Sequence, residues 1–291
     1  MVHSGFAICF YMGVVDFILN LAGLLLWIKW RSLPFDPIHK RTPATLVGTL
    51  RRAEPSHFRR WHLLVVIALL LLGRAGFYRL IGPAMHWSGS LDFGVVTLWF
   101  RSDLFLRALA FSVCSFGLTL GVFYLWLLLL SLLNEKSADD EPIQRLVRMP
   151  LGRIAGWSSW AKIISPFVAT SLIWWLACWP LMWLEIIPRP LSGAQHIEAS
   201  LVIGMGSYLA WKFLAAALLT LRLLNTYIYF GKHPFWNYVN TTALALLAPL
   251  SRIPLRLGRA DFAPVVGIAV VFLAAELLER GLVWLYTRLP F

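Results

Sequence analysis

The sequence predicts an all-α, polytopic membrane protein with about six transmembrane helices in hairpin repeats and with interfacial amphipathic helices on the cytoplasmic side. Two observations support this fold class. Of the 291 residues, 59% are hydrophobic and only 14% are charged, whereas an average soluble domain has roughly 25% charged residues. The mean hydropathy is +0.71, and the basic residues gather in alternate connecting segments instead of being spread along the chain.

Six apolar runs are long enough to cross the hydrocarbon core of a bilayer, which takes roughly 20 residues. The third and fifth runs exceed that length, so we expect both to tilt or to extend beyond the bilayer. The six runs cover residues 5–28, 61–82, 104–134, 164–187, 200–230 and 262–286.

The distribution of Lys and Arg predicts the orientation, because basic residues near the ends of spans stay in the cytoplasm. Three alternate loops, the first of them residues 29–60, hold most of the basic residues outside the spans. The opposite side has only Arg101, Arg189 and Arg288. We therefore expect both termini outside and three basic loops in the cytoplasm.

The net charge of +12 has two interpretations. Strongly basic proteins often bind nucleic acid, but the basic loops here contain few aromatic residues on which bases would stack. Basic loops also attract anionic lipid headgroups, at about 1 kcal/mol per residue. We expect membrane lipids as partners, with membrane proteins or a second copy as further candidates, and no contact with nucleic acid.

Four ionisable residues lie inside the predicted spans, where charge is costly and often functional. Asp16 and Arg74 fall at similar depths in the first and second spans, and Lys212 and Glu276 in the fifth and sixth. Each acidic residue thus has a basic candidate in a neighbouring span. We predict the pairs Asp16–Arg74 and Lys212–Glu276, and the alternative is an ion or proton path.

The sequence shows no sign of a catalytic or metal site. It has no HExxH, GxSxG or P-loop motif, and its three cysteines, Cys9, Cys114 and Cys178, lie in three different apolar runs. The seven histidines are scattered. We therefore expect a protein that is not an enzyme and that has no cofactor, no metal and no disulfide framework.

The second half of the chain contains two related hairpins, each with an apolar run, a short turn, a basic amphipathic piece and a second apolar run. This pattern predicts three regions. They are an N-terminal membrane region at residues 1–110, a degenerate first repeat at 111–190 and a second repeat at 200–291.

The second repeat carries a distinctive segment, PLSRIPLRLGRADFAP, at residues 249–264. Apolar residues from Leu246 to Leu257 recur at helical spacing with arginines on another face, which predicts an interfacial amphipathic helix. Gly258 is expected to allow a turn, Asp261 to cap the next helix, and Pro264 to occupy its first turn.

This segment resembles the signature of the YggT family, also called YlmG. The resemblance covers roughly residues 120–290. In the first repeat the Arg-Pro run is eroded, and no aspartate stands three residues before Pro166. The matching positions are Pro249, Leu250, Arg252, Pro254, Arg256, Gly258, Asp261, Phe262, Ala263 and Pro264.

The resemblance implies a small membrane protein of bacteria or plastids, associated with osmotic stress, cell division or the biogenesis of membrane complexes. The family has no established enzymatic activity. The expected function is therefore a scaffold or assembly factor in the bacterial cytoplasmic membrane. A channel or transporter component that uses the in-membrane charges is the alternative, and a lipid-modifying enzyme is a third hypothesis.

Overall fold

The computed structural model describes residues 2–32, 60–83, 87–135, 142–190, 192–228, 233–252, 256–257 and 260–288. Within these ranges the chain is all-α apart from two small two-stranded sheets, so the helical class is confirmed. The chain forms two compact units, which are Met1–Gly89 with Phe100–Leu120, and Ser90–Trp99 with Gly121–Phe291. The three regions predicted from the sequence stay a prediction.

The first unit contains helix α1 (Val2–Ser32), helix α2 (Arg60–Ile81) and the beginning of helix α3 (Phe105–Leu133). Gly23 lets α1 approach α3 closely, since a Cβ at this position would lie 2.7 Å from a ring carbon of Phe116. The outer faces carry large exposed apolar side chains, such as Phe17 and Leu80. This is the pattern expected of helices that are surrounded by lipid.

A β-hairpin that the sequence interpretation missed follows α2. Its strands, β1 (Ser88–Asp92) and β2 (Thr97–Arg101), both alternate between exposed and buried residues, which is the signal of a half-buried strand. The N–H of Phe93 donates to the carbonyl of Val96 across the turn. Gly94 has a φ of 82°, a conformation that favours glycine.

The second unit begins with the end of α3 and continues through a short amphipathic helix, α4 (Pro142–Leu151). Its buried side places Val147 and Leu151 against Leu127 and Leu128 of α3, while Leu146 is exposed. A 3-10 helix (Gly152–Gly156) leads to α5 (Ser159–Trp183).

The remaining elements of the second unit are mostly helical. They are α6 (Gly193–Gly206), a 3-10 turn (Ser207–Ala210), α7 (Trp211–Tyr227), α8 (Pro234–Leu247), a 3-10 helix (Ala248–Arg252), strands β3 (Arg256–Leu257) and β4 (Ala260–Asp261), and α9 (Ala263–Arg288). Helix α6 packs against α5, and α9 packs against α7.

Five helical segments among the described residues are long and apolar enough to cross a membrane. The sixth predicted span, α9, is not one of them, because every stretch of it that is long enough contains Glu276, Glu279 and Arg280. The five segments are Met12–Ser32, Trp61–Ile81, Phe105–Leu133, Ser159–Trp183 and Gly193–Tyr227.

Candidate functional site

The buried side chain of Arg74 is the centre of a polar network in the first unit. Its Nη2 atom donates to Oδ1 of Asp16 and to Oγ of Ser115, both at 2.9 Å. Its Nη1 atom donates to Oδ1 of Asn20 at 2.7 Å. Asp16 and Asn20 are one turn apart on α1, so both oxygen atoms lie on the same face of that helix.

Two aromatic residues complete the surroundings of the guanidinium. Nε of Arg74 donates to the hydroxyl of Tyr78 at 3.2 Å. The guanidinium carbon also lies 5.6 Å from the ring centre of Tyr78 and 5.3 Å from that of Phe111. Trp87 in turn stacks on Tyr78, with 4.5 Å between the two ring centres. Cation–π attraction of this kind is strongest where water is excluded.

The Arg74 network, defined as Arg74, Asp16, Asn20, Ser115 and Tyr78, satisfies its charged groups internally. All three guanidinium nitrogens donate hydrogen bonds, and Asn20 also donates to Ser115 at 3.0 Å. An ion pair in a medium of low dielectric constant is stable only when such additional hydrogen bonds are present. The geometry is that of a closed interhelical network, and it confirms the predicted pair Asp16–Arg74.

The second predicted pair is wrong. Nζ of Lys212 lies 3.0 Å from Oε2 of Glu279, whereas Oε1 of Glu276 accepts from Nε of Arg280 on the next turn of α9. Glu279 is one turn from Leu282, which is buried, and Glu276 lies on an exposed part of the helix. The sequence showed the depth of each residue in its span but not which side of α9 faces α7.

The segment at residues 249–264 is only partly described by the structure. Pro264 is buried in the first turn of α9, as predicted, and Pro249 is exposed in the 3-10 helix. The side chains of Arg252, Arg256 and Asp261 lie outside the described part of the chain, as do Pro254 and Gly258.

The predicted amphipathic helix from Leu246 to Leu257 is helical up to Arg252, and residues 253–255 lie outside the described part of the chain. Arg256 and Leu257 form strand β3 instead, which pairs antiparallel with β4 so that Arg256 lies opposite Asp261. A proline within the segment disfavours helical backbone at the preceding residue, which works against one continuous helix up to Leu257. Phe262 immediately precedes α9, and the side chain of Asp261 lies outside the described part of the chain, so its role as a cap stays a prediction.

A second buried polar cluster, in the second unit, was not anticipated. Nδ2 of Asn134 donates to Oγ1 of Thr242 at 2.9 Å, and Nε2 of Gln144 donates to the carbonyl of Asn134 at 3.1 Å. All three residues are buried. They join the end of α3 to α4 and α8. The one sequence feature that could have indicated this cluster is an isolated Asn, Asn134, at the end of an apolar run.

The 3-10 turn between α6 and α7 is held in place by bonds to neighbouring helices. Nε1 of Trp126 donates to the carbonyl of Ala210 at 2.9 Å, and Nε1 of Trp211 donates to that of Leu125 at 3.0 Å. The hydroxyl of Tyr208 donates to the carbonyl of Ile163 at 2.6 Å. These bonds fix an irregular stretch of backbone within the Gly193–Tyr227 segment.

Metal-ligating residues do not cluster in the ranges that the structure covers, where no group of three or more His, Cys, Asp or Glu residues could hold an ion. Cys114 in α3 and Cys178 in α5 are free thiols.

No model of a known protein family, no curated protein and no solved structure matches this chain.

Proposed function

We propose that this chain is a non-enzymatic multi-pass membrane protein of the YggT type that acts as a scaffold or assembly factor in the cell envelope. The observation that supports this function is the closed Arg74 network. Ionisable residues within spans either mark the paths of solutes and protons or pair with one another between helices. Arg74 has both of its terminal nitrogens and Nε bonded to residues of three helices.

The proposed setting is the bacterial cytoplasmic membrane, with both termini outside and α9 as a sixth span. Helix α9 has 26 residues and is therefore about 39 Å long. Its charges are compatible with a span because Glu279 pairs with Lys212 and Glu276 with Arg280. Paired charges in spans are far less costly than isolated ones.

The order of elements supports two YggT-like repeats. The first hairpin runs from α3 through α4 and a 3-10 helix to α5, and the second runs from α7 through α8 and a 3-10 helix to α9. Among the described residues, the strands β3 and β4 occur in the second hairpin, at the segment that is eroded in the first.

Helix α4 is the proposed contact surface on the cytoplasmic side. It has Arg145 and Leu146 on its exposed side, so it suits a membrane surface with anionic headgroups or a protein docked there.

Photo-crosslinking in native membranes tests the scaffold function. A photoreactive residue at Leu146 is expected to form a reproducible protein adduct, and the same residue at Leu172, an exposed apolar position on α5, is expected to form none. Equal adduct patterns at both positions, or lipid adducts alone, would contradict a protein scaffold.

One observation favours the alternative, a channel or transporter component. The 3-10 turn Ser207–Ala210 interrupts a segment that is otherwise long enough to span the membrane, and broken helices line solute sites in many transporters. Ion flux in proteoliposomes that disappears when the Lys212–Glu279 pair is removed would support this second candidate.

A further inference from the structure

The turn of the β1–β2 hairpin packs deep among the helices of the second unit. The ring of Phe93 meets that of Trp174 edge to face, with 5.1 Å between the ring centres. A Cβ on Gly206 would lie 2.9 Å from a methyl carbon of Val95, and one on Gly94 would lie 3.0 Å from a methyl carbon of Leu209. The turn is therefore seated on α5, on the end of α6 and on the 3-10 turn that follows it.

In the proposed membrane placement, these contacts put the turn inside the bilayer. Trp174 is about 14 Å along α5 from its end at Trp183, and Gly206 is about 9 Å along α6 from Ser200, near which the predicted fifth span begins. Trp183 and Ser200 both lie toward the outer side in the proposed topology. With a hydrocarbon core of about 30 Å, the hairpin is re-entrant and its turn lies within the outer half of the bilayer.

The outward face of the hairpin is polar, which is incompatible with lipid at this depth. The buried positions are apolar, including Leu91, Leu98 and Phe100, whereas Trp99 is the one large apolar residue on the exposed face. The other exposed strand residues are Ser88, Ser90, Asp92, Thr97 and Arg101.

The backbone of the hairpin also needs polar partners at this depth. A two-stranded sheet leaves the outer N–H and C=O groups of both strands without strand partners. Irregular or unpaired backbone at membrane depth occurs only where it is buried in protein or lines a water-filled cavity. Since the polar face is exposed, water is the partner that satisfies it.

We propose that the outward face of the β1–β2 hairpin lines a water-filled vestibule that opens to the outside and ends at Asp92 and Thr97, admitting small polar and cationic solutes. The inference rests on the proposed membrane placement. Asp92 gives the closed end a negative charge, and its Oδ1 atom accepts a hydrogen bond from the N–H of Gly94 at 2.8 Å. Arg101, the basic residue of the same face, lies at the opposite end of β2 and is 3.7 Å from Asp103, so cations should reach the end at Asp92 more readily than anions.

Cysteine accessibility in intact cells or right-side-out vesicles tests the vestibule. In a chain with Cys9, Cys114 and Cys178 replaced by Ala, single reporters are placed at Ser90→Cys and Thr97→Cys. The matched controls are Leu172→Cys and Leu176→Cys, which are both exposed. They lie two residues before and after Trp174 and so point about 200° away from it, toward lipid at a similar depth.

The expected result is that membrane-impermeant thiol reagents label both hairpin reporters and neither control. At Thr97→Cys, a cationic reagent should react about tenfold faster than an anionic one of similar size. Asp92→Asn should remove most of that preference while the amide oxygen keeps the bond to Gly94.

The controls separate the two ways in which the inference can fail. If all four cysteines react alike, the membrane placement is wrong and the vestibule is wrong with it. If the controls and the hairpin reporters are all protected, the membrane placement stands and the vestibule is overturned. A charge preference that Asp92→Asn leaves unchanged would overturn the role of Asp92.

Discussion

Nη2 of Arg74 lies 2.9 Å from Oδ1 of Asp16, and the arginine side chain has no exposed surface. The pair joins α1 to α2, and Ser115 extends the network to α3. The buried charge of Arg74 thus holds the three helices of the first unit in one register, because an unpaired charge in a medium of low dielectric constant is very costly.

Removing one partner of this pair should destabilise the protein strongly. Arg74→Ala leaves Asp16 without its counter-ion, and the expected loss in the free energy of unfolding is about 3–5 kcal/mol. The measurement is reversible unfolding in mixed micelles. The matched control is Arg280→Ala, which breaks an exposed pair with Glu276 and should cost less than about 1 kcal/mol. Equal losses in the two variants would contradict a structural role for Arg74.

Gly204 should tolerate no side chain, because α5 and α6 cross closely there. A Cβ at this position would overlap Oγ of Ser171 and would lie 2.9 Å from the carbonyl oxygen of Phe167. Gly204→Ala is expected to cost about 1–3 kcal/mol, and Ser171→Ala should restore part of the loss by removing the closer contact. Thermal unfolding of the single and double variants measures both effects.

Gly281→Ala is the control for Gly204, since nothing lies within 4 Å of a Cβ there. This change should be neutral or stabilising by up to about 1 kcal/mol, because Ala favours helix more than Gly does. A loss at Gly281 as large as that at Gly204 would show that steric contact is not the cause.

Thr242 should contribute more to stability than its neighbour Thr241. Thr242→Val keeps the shape but leaves Asn134 without a side-chain partner in a buried cluster, at a cost of about 1–3 kcal/mol. Thr241 is exposed and donates to the carbonyl of Asn237 in its own helix, so Thr241→Val should change little. Parallel denaturation curves distinguish the two, and a larger effect at Thr241 would refute the buried cluster.

Lys212 should be coupled energetically to Glu279 and not to Glu276. Double-mutant cycles with Lys212→Met and either Glu279→Gln or Glu276→Gln measure the coupling free energies. A clear coupling is expected for Glu279, which is 3.0 Å from Lys212, and none for Glu276, which pairs with Arg280. The reverse result would restore the pairing first expected from the sequence.

The helical class, the five apolar segments and the Asp16–Arg74 pair followed from the sequence, because each depends on composition or on depth along a span. The error at Lys212 arose because depth does not show which side of a helix faces its neighbour. Glu276 and Glu279 are three positions apart on α9 and differ by only about 60° in direction and about 4.5 Å in depth, so only the packing against α7 selects between them.

The β1–β2 hairpin and the Asn134 cluster could not be found in the same way. The alternation of exposed and buried residues in Ser88–Asp92 is short. Its signal is weak beside the long apolar runs on either side, so the sequence alone did not indicate a strand here. Asn134 and Thr242 are more than a hundred positions apart, so their contact exists only once α3 and α8 are packed.

Ion flux in proteoliposomes tests most directly whether the in-membrane charges hold helices together or conduct ions. The purified protein would be reconstituted with H⁺- and K⁺-sensitive dyes under an imposed membrane potential. We predict flux equal to that of protein-free liposomes. If the folded wild-type protein gives a flux well above this level and a folded Asp16→Asn variant does not, the structural role of the Arg74 network is contradicted.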